Sequence, residues 1–281
     1  MSAREAFGTL ATHALAEVVT HARRLCDADD ADGVHQVRVA LRRLRGAIAL
    51  FKPVVADSAV HAIKARLKAL ADDLAPAREI DVLLSGAYAR ADWRGEDSAV
   101  RVGFGRRLSA ARTAAYVRAR RAVQEEPLRG LATDVLAWIE SGPWTGPDAP
   151  RAAVRDRPAA ALAARALDRC RRRALRHPAR FGRLPPDARH ALRITIKTLR
   201  LAAETFSPLF PAHPRRRRRF LARTKALLDD LGDLNDVVAV DRITLGPLPS
   251  PITAWASDRE RAVARAAAGS WSRFRRAKRF W

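Results

Sequence analysis

The sequence predicts an all-α protein, and three observations support this prediction. Ala, Leu and Arg dominate the 281 residues, and all three have high helix propensity. Apolar residues recur at helical spacing, and no segment sustains the period-2 alternation of a half-buried strand. Hydrophobic residues make up 48% of the chain, so a sizeable core can form.

Helical segments follow one another along the chain, separated by short connections. The stretch "SGPWTGPDAP" at 141–150 is rich in Pro and Gly, which predicts a linker or a long turn. Asp32 and Asp187 stand next to the starts of two apolar-periodic segments and are predicted helix N-caps. The predicted helices cover residues 3–26, 33–52, 57–74, 78–91, 96–124, 127–141, 151–177, 186–210, 213–231, 233–242 and 251–276.

An internal repeat divides the chain. "HQVRVALRRLR" at 35–45 matches "HALRITIKTLR" at 190–200, with a histidine and cations at the same offsets. "LKALADDLAPAREIDV", which starts at Leu67, matches "TKALLDDLGDLNDVV", which starts at Thr224. Because both blocks recur in the same order at nearly the same separation, we predict two similar helical halves. The predicted halves and linker are residues 1–141, 151–281 and 142–150.

The repeated histidine and cations fall on one helix face, because offsets of 0, 3, 7 and 10 residues span about 80° of arc. The first stripe consists of His35, Arg38, Arg42 and Arg45. The second stripe consists of His190, Arg193, Lys197 and Arg200. The side opposite the first stripe is apolar and consists of Val37, Leu41, Leu44 and Ile48. Such a stripe is often an ordinary solvated surface, but two copies favour a bound polyanion, which would relieve repulsion between like charges.

The charge of the whole chain indicates the same class of partner. Lys and Arg number 53 and Asp and Glu 30, so the net charge is +23. A body with this charge attracts nucleic acid, an anionic membrane surface or inorganic polyphosphate. Only six of the basic residues are Lys, and the planar fork of Arg suits phosphate because it can hold two oxygens at once.

Several other classes of protein are disfavoured. Cys26 and Cys170 make no disulfide framework, and neither they nor the stripe histidines have partners at metal-ligand spacing, so we expect no metal and no cofactor. The stripe histidines are therefore either structural or in contact with phosphate. The chain shows no signal peptide and no run of about 20 apolar residues, so we expect a cytoplasmic protein without membrane insertion.

Further charged residues accompany the repeats. Two acidic pairs suit either paired catalytic carboxylates or bracing of Arg side chains, and bracing is favoured: Asp72, Asp73, Asp229 and Asp230. In the run "RRRRR" at 215–219, Arg218 aligns with His61, which suggests that it faces the same ligand as the stripes. The tail "WSRFRRAKRFW" suits base stacking, a membrane surface or, as we favour, packing of its two Trp residues on the body.

The His-x-x-Arg helix, together with "REIDV" at 78–82 and "LGDLND" at 231–236, resembles the CHAD family, the conserved histidine α-helical domain. "HALRITIKTLRLAAETF" is especially similar to the second-half motif of that family. The resemblance extends from about residue 5 to about residue 275, which predicts a single domain over 1–281. There are two departures: Leu201 replaces a Tyr, and Glu79 replaces the Asp of Arg-Asp-x-Asp.

The resemblance implies two four-helix-bundle-like halves, related by pseudo-twofold symmetry, with a basic central cavity that binds inorganic polyphosphate. It also implies association with polyphosphate granules in bacteria. The ligand-facing candidates are both stripes with Arg66, Lys68, Arg223 and Lys225, to which we add Arg218. The bracing acids are Asp72, Asp73, Asp81, Asp229, Asp230 and Asp236. Many members of the family carry an attached triphosphate-tunnel domain. No Glu-x-Glu-x-Lys motif of such a domain occurs here, so we do not assign its enzymatic activity to this chain.

These observations predict a non-enzymatic polyphosphate-binding protein, located in the cytoplasm at polyphosphate granules, with weak non-specific contact to nucleic acid. One alternative is a general nucleic-acid binder in which the aromatic tail contributes. A second is a metal-dependent enzyme that acts on phosphate chains through the paired aspartates. A third is a granule-coating protein whose main contact is another protein.

Overall fold

The computed structural model confirms the all-α prediction. It describes residues 1–27, 31–240 and 247–281, without the side chains of 27, 31, 125, 126 and 236–240. Within these described residues, helices are the only regular elements apart from an isolated bridge between Ser2 and Pro158. The architecture therefore depends on how amphipathic helices bury their apolar faces against one another.

The α-helices of the described residues are α1 (Ala3–Asp27), α2 (Ala31–Leu50), α3 (Lys52–Val55), α4 (Val60–Asp73), α5 (Ala75–Leu83), α6 (Ser98–Ala122), α7 (Glu125–Ser141), α8 (Ala152–Arg155), α9 (Ala159–Leu175), α10 (Pro186–Phe206), α11 (Pro214–Val240) and α12 (Ser250–Arg275). A π-helical turn, Leu84–Tyr88, extends α5. The 3₁₀ turns are Pro143–Thr145, Phe181–Arg183 and Ser207–Leu209.

Two compact units divide the chain. The first unit consists of Met1–Arg78 and Arg112–Ala163, and the second of Glu79–Ala111 and Ala164–Trp281. These units differ from the halves read from the sequence repeat, because Glu79–Ala111 belongs to the second unit although it precedes the linker at 142–150. Packing between helices, rather than order along the chain, decides which segments form a unit.

An aromatic cluster forms part of the core of the first unit. The ring of Phe7 lies 5.6 Å from Phe51, 5.7 Å from Trp138 and 5.3 Å from Trp144, measured between centroids. The indole Nε1 of Trp144 donates to the carbonyl of Trp138 at 2.9 Å, so the buried polar group is satisfied. Because Trp144 is only 3% exposed, it anchors the predicted linker in the core of this unit.

A second aromatic cluster lies in the second unit, where the tail returns to the body. Trp271 and Phe274 of α12 are buried, and Trp271 donates from Nε1 to the carbonyl of Pro178 at 3.0 Å. The ring centroid of Phe220 in α11 lies 5.7 Å from Phe280 and 5.1 Å from Trp281. The tryptophans of the tail therefore pack on the body, as the favoured interpretation predicted.

Two predicted helix boundaries were wrong. The predicted helix 151–177 is interrupted between α8 and α9 at Pro158, because proline has no backbone N–H to donate and its ring clashes with the preceding turn. The predicted helices 213–231 and 233–242 are instead one helix, α11, which runs through Gly232. The buried side chains of Leu231 and Leu234 offset the roughly 1 kcal/mol that glycine costs inside a helix. Residues 241–242 lie outside the described residues.

The predicted N-caps were also wrong. The N-cap of α10 is Pro185, which makes no side-chain cap hydrogen bond, and Asp187 lies inside the first turn. Asp32 likewise lies in the first turn of α2, after Ala31. Both carboxylates stand near the positive end of a helix dipole, where a negative charge is favourable without direct capping.

Candidate polyanion-binding site

The first stripe lies on the cationic face of α2. The opposite face is buried as predicted: Val37, Leu41, Leu44 and Ile48 are each at most 1% exposed. Arg42 and Arg45 are exposed, whereas His35 and Arg38 are half-buried. The amphipathic pattern therefore fixes α2 in the first unit and leaves two arginine forks accessible to a ligand.

Arg38 has a structural contact in addition to its place in the stripe. Its Nη1 donates to the carbonyl oxygen of Ala71 at 2.7 Å. Ala71 belongs to the last turn of α4, where carbonyls have no partner within the helix and a cation is favoured. Arg38 therefore ties α2 to the C-terminal end of α4.

His35 lies among cations. Burial lowers the pKa of its imidazole below the usual value, and the charges of Arg78, Arg42 and Arg38 lower it further, whereas Asp32 opposes them. The unliganded side chain is therefore neutral at pH 7. Arg78 is not among the ligand-facing candidates predicted from the sequence. Its place in the repeated block that starts at Leu67 was the signal that could have placed it near the first stripe.

The cations of α4 are held by acids. Lys68 Nζ lies 2.5 Å from Asp72 Oδ2, one turn further along the helix, and both side chains are exposed. The hydrogen bond from Lys68, helped by the charges of Arg45 and Arg38, keeps the pKa of Asp72 below its usual value. This acid therefore stays ionised and opposes the local positive charge.

Two ion pairs of the first unit join residues from different helices. Arg66 pairs with Asp134 of α7. Asp73 accepts hydrogen bonds from Nε and Nη2 of Arg118 in α6, at 2.9 and 2.7 Å. Asp73 therefore braces an arginine outside the predicted set, and both Arg118 and Asp134 were missed because nothing in their local sequence indicates the partner helix.

The second stripe lies on α10, which repeats the buried face of α2. Leu192, Ile196 and Leu199 are all 0% exposed. Of the stripe residues, His190 is exposed and the others are half-buried. Arg200 donates from Nε to Glu204 Oε1 at 2.7 Å, so a carboxylate already opposes the last cation of this stripe.

The imidazole of His190 has a neutral partner. Its Nδ1 lies 3.1 Å from Oδ1 of Asn235 in α11. An amide oxygen only accepts, so this contact requires the proton on Nδ1. The Nε2 atom can then donate to a phosphate oxygen only when the ring is protonated, because the neutral tautomer leaves Nε2 as an acceptor.

A cleft of about 580 Å³, including space open to solvent, adjoins the start of the second stripe. It contains carboxylates as well as cations, because Arg189 pairs with Glu260 at 3.4 Å. The lining residues are Pro186, Asp187, Arg189, His190, Arg193, Leu231, Leu234, Asn235 and Glu260. The lining of this cleft therefore carries both charges.

The remaining candidates lie mostly on α11. Lys225 Nζ is 2.6 Å from Asp229 Oδ2, which repeats the Lys68–Asp72 pair. Arg218 is exposed, and Arg223 and Asp230 are half-buried. Asp81 of α5 is buried, at 7% exposure, and the side chain of Asp236 lies outside the described residues. The ligand-facing and bracing roles of these residues, and the basic central cavity, stay predictions.

The described residues contain neither a metal-binding cluster nor a membrane-spanning helix. Over 1–27, 31–240 and 247–281, no group of three or more His, Cys, Asp or Glu side chains is placed to hold a metal ion. No helix in the part of the chain that the structure describes is both long and apolar enough to span a membrane.

Comparison with known proteins gives a family and several structural neighbours. Residues 9–244 match the family model described as CHAD domain. The structure of a CHAD domain from the plant Ricinus communis aligns with 100% of this chain and 93% of its own, with a TM-score of 0.76 and 22% identity. PptA from Streptomyces chartreusis aligns over 99% of both chains, with a TM-score of 0.65 and 17% identity. At these identities the similarity concerns the fold. Among curated protein sequences, none matches the chain significantly.

Proposed function

The chain belongs to the CHAD family, and on this premise we propose that it binds inorganic polyphosphate through the first and second stripes. The observation that supports the proposal is the repeated cationic face of α2 and α10, each backed by a fully buried apolar face. A lysine–aspartate pair also recurs at the aligned positions of α4 and α11. Ordinary solvated surfaces have no reason to repeat this arrangement.

The chemistry of binding follows from the exposed groups. The guanidinium forks of Arg42 and Arg45 can each hold two phosphate oxygens, and a chain of phosphates offers such oxygens in series. Each contact displaces counterions from the polyanion, so the affinity falls steeply with salt.

The proposal includes the absence of catalysis. Lys68 and Lys225 pair with Asp72 and Asp229, and the lowered pKa of Asp72 makes this carboxylate a poor proton donor or acceptor near pH 7. We expect no release of phosphate from polyphosphate, with or without Mg²⁺. Release that needs a metal and disappears in the Asp72→Asn/Asp229→Asn variant would show that the chain is an enzyme.

The experiment compares two variants that lose equal charge. The stripe variant carries Arg42→Gln, Arg45→Gln, Lys197→Gln and Arg200→Gln. The surface variant carries Arg24→Gln, Arg90→Gln, Arg106→Gln and Arg265→Gln, which are exposed positions outside both stripes. Glutamine preserves helix propensity and removes the charge. Binding of long-chain polyphosphate and of double-stranded DNA of matched charge is measured by titration at about 0.15 M salt.

We expect the stripe variant to lose at least about tenfold in polyphosphate affinity relative to the surface variant, with a salt slope lower by up to about four. Wild type should prefer polyphosphate to DNA. Equal losses in both variants, or equal binding of both polymers, would mean that the net charge acts non-specifically. In a cell that stores polyphosphate, we propose cytoplasmic location at granules, which a fluorescent fusion of the stripe variant should lose. Retention at granules would indicate a protein contact instead.

A further inference from the structure

A second cationic surface lies in the second unit, and its lining includes none of the residues assigned to the stripes. After α12 ends, residues 276–281 return alongside α9. Nη1 of Arg279 and Nε1 of Trp281 both donate to Oδ1 of Asp168 in α9, at 3.0 Å each. Nη2 of Arg171 donates to the carbonyl of Ala277 at 3.2 Å. These bonds hold the end of the chain in place.

In residues 276–280, uncharged side chains are buried and charged side chains are exposed. Ala277 and Phe280 are each 2% exposed, while Arg276, Lys278 and Arg279 are exposed. The ring of Phe280 thus lies against the body and the cations face outward, while Trp281 is half-buried. The segment therefore presents more charge than aromatic surface to a ligand.

The tail, α9 and the first turn of α11 enclose an open cleft of about 1200 Å³, including space open to solvent. The charged side chains of its lining are seven cations and a single carboxylate: Arg171, Arg172, Arg216, Arg275, Arg276, Lys278, Arg279 and Asp168. The carboxylate of Asp168 already accepts two hydrogen bonds, from Arg279 and Trp281. Burial lowers the pKa of Arg171, and the neighbouring charge of Arg279 adds to the effect.

The seven cations fall into two groups. Arg171, Arg275 and Arg279 hold the fold, because they donate to Ala277, to His177 and to Asp168 respectively. Among the residues that the structure describes, the other four make no hydrogen bond or ion pair, and all are exposed: Arg172, Arg216, Arg276 and Lys278.

The position of Arg216 is a second observation that indicates an anion. It lies in the first turn of α11, a 27-residue helix that begins at Pro214. A cation at the positive end of a helix dipole is unfavourable, whereas an anion there is stabilised. A ligand with several negative charges would reverse both this repulsion and the crowding of guanidinium groups.

We propose that this cleft is a second polyphosphate-binding site, separate from the stripes, in which Arg172, Arg216, Arg276 and Lys278 bind the phosphate groups. The proposal rests on the function proposed above and extends it to a new surface. Polyphosphate is favoured over nucleic acid because the charged lining outnumbers the aromatic lining: Phe280 is 2% exposed, and the half-buried ring of Trp281 is held edge-on against Phe220 and by its bond to Asp168. A site built only for phosphate oxygens suits a polymer that consists only of phosphates.

The test adds a cleft variant to the stripe and surface variants. The cleft variant carries Arg172→Gln, Arg216→Gln, Arg276→Gln and Lys278→Gln, and a combined variant carries the stripe changes as well. Circular dichroism and thermal unfolding confirm that each variant folds. If the cleft variant fails to fold, the double variant Arg276→Gln/Lys278→Gln replaces it, because both positions follow the end of α12.

We expect the cleft variant to lose about tenfold in affinity for long-chain polyphosphate relative to the surface variant, with a salt slope lower by up to about four. Its affinity for DNA should change no more than that of the surface variant. The stripe variant should keep residual polyphosphate binding, and the combined variant should lose it.

Other outcomes overturn the proposal in distinguishable ways. If the cleft variant matches the surface variant while the stripe variant loses affinity, the second site is wrong and the function of the stripes stands. If neither loses affinity, both proposals fail. If the cleft variant loses DNA and polyphosphate binding equally, the cleft is a general anion surface and the assignment to polyphosphate is wrong.

Discussion

The first and second stripes place equivalent residues at equal offsets, yet their surroundings differ. His35 is half-buried and faces Arg78, whereas His190 is exposed and contacts Asn235, which aligns with Arg78. Glu204 opposes Arg200, while the aligned position after Arg45 is Ala49. A sequence repeat can thus preserve the cations and still change the charge around them. We infer that the first stripe is the stronger site for a polyanion.

The largest effect is expected when the stripes are weakened separately. Arg42→Gln/Arg45→Gln should raise the Kd for long-chain polyphosphate about tenfold, and Lys197→Gln/Arg200→Gln about threefold. The second loss is smaller because Glu204 already offsets the charge of Arg200. Titration calorimetry at constant salt measures both values. Equal losses, or a larger loss from the second pair, would contradict the ranking of the stripes.

Removing the carboxylate of Glu204 should reduce the difference in polyphosphate affinity between the two stripes. Glu204→Gln is expected to strengthen polyphosphate binding about two- to threefold, because Arg200 no longer has a competing anion. The free energy of unfolding should change by less than about 0.5 kcal/mol, as expected for one partly exposed helical pair. In a double-mutant cycle, the gain should vanish when Arg200→Gln is also present. A gain that persists would indicate a long-range charge effect.

The pH dependence should reveal the histidine of the first stripe. His35 has a lowered pKa and is neutral at pH 7, but bound phosphate oxygens favour its charged form. Binding therefore takes up a proton, and the affinity should rise about twofold or more as the pH falls from about 7.5 to about 5.5. His35→Asn should reduce this rise, and His13→Asn, at an exposed position of α1 outside the candidate set, should not. An unchanged profile in His35→Asn would exclude a phosphate contact at this histidine.

The same lowered pKa has the opposite effect on folding. Below about pH 6.5 the unfolded chain protonates His35 while the folded chain does not. As the pH falls from the usual histidine pKa towards the lowered pKa of the folded state, this residue therefore lowers the free energy of unfolding of the unliganded protein. Over the same pH range, polyphosphate binding strengthens.

The two halves have different residues at one aligned position, Arg78 and Asn235, and the effect of this difference on His35 can be tested directly. Arg78→Asn should raise the pKa of His35 part of the way towards its usual value, because one positive neighbour is removed while burial, the larger cause, remains. An NMR titration of the His35 ring protons measures the shift. A full return to the usual value would mean that the charge of Arg78, rather than burial, dominates. The control is Arg43→Gln, which removes a cation outside the stripe.

The smallest expected effect is on stability and concerns the helices next to the stripe helices, α4 and α5 in one case and α11 in the other. Ala75 and Pro76 mark the passage from α4 to α5, whereas the aligned Gly232 lies within the continuous helix α11. A Cβ at Gly232 would meet no atom within 4 Å. Gly232→Ala should therefore raise the free energy of unfolding by about 0.5–1 kcal/mol, measured by urea denaturation. A decrease would show that this part of α11 must bend.

The sequence was sufficient to predict the helical fold and the composition of the helix faces. Leu41 and Ile196 are buried because their spacing puts them opposite the cations, and spacing is a local property. The partners of Arg66 and Asp73 could not be predicted in this way, because they depend on how helices far apart in sequence pack. Pro158 indicated a break inside the predicted helix 151–177, but the prediction did not use it. Gly232 was interpreted as a break, although packing overrides its low helix propensity.

The recurring Lys68–Asp72 and Lys225–Asp229 pairs have a consequence for selectivity. Each aspartate is a tethered competitor for its lysine, because it binds without losing further translational freedom, although one exposed i,i+4 pair contributes little on its own. A single orthophosphate must displace the aspartate with one weak contact, whereas a polymer that already touches neighbouring cations is held nearby when it competes. The acids thus favour long chains over single ions, and we expect a lower affinity for free orthophosphate than for polyphosphate.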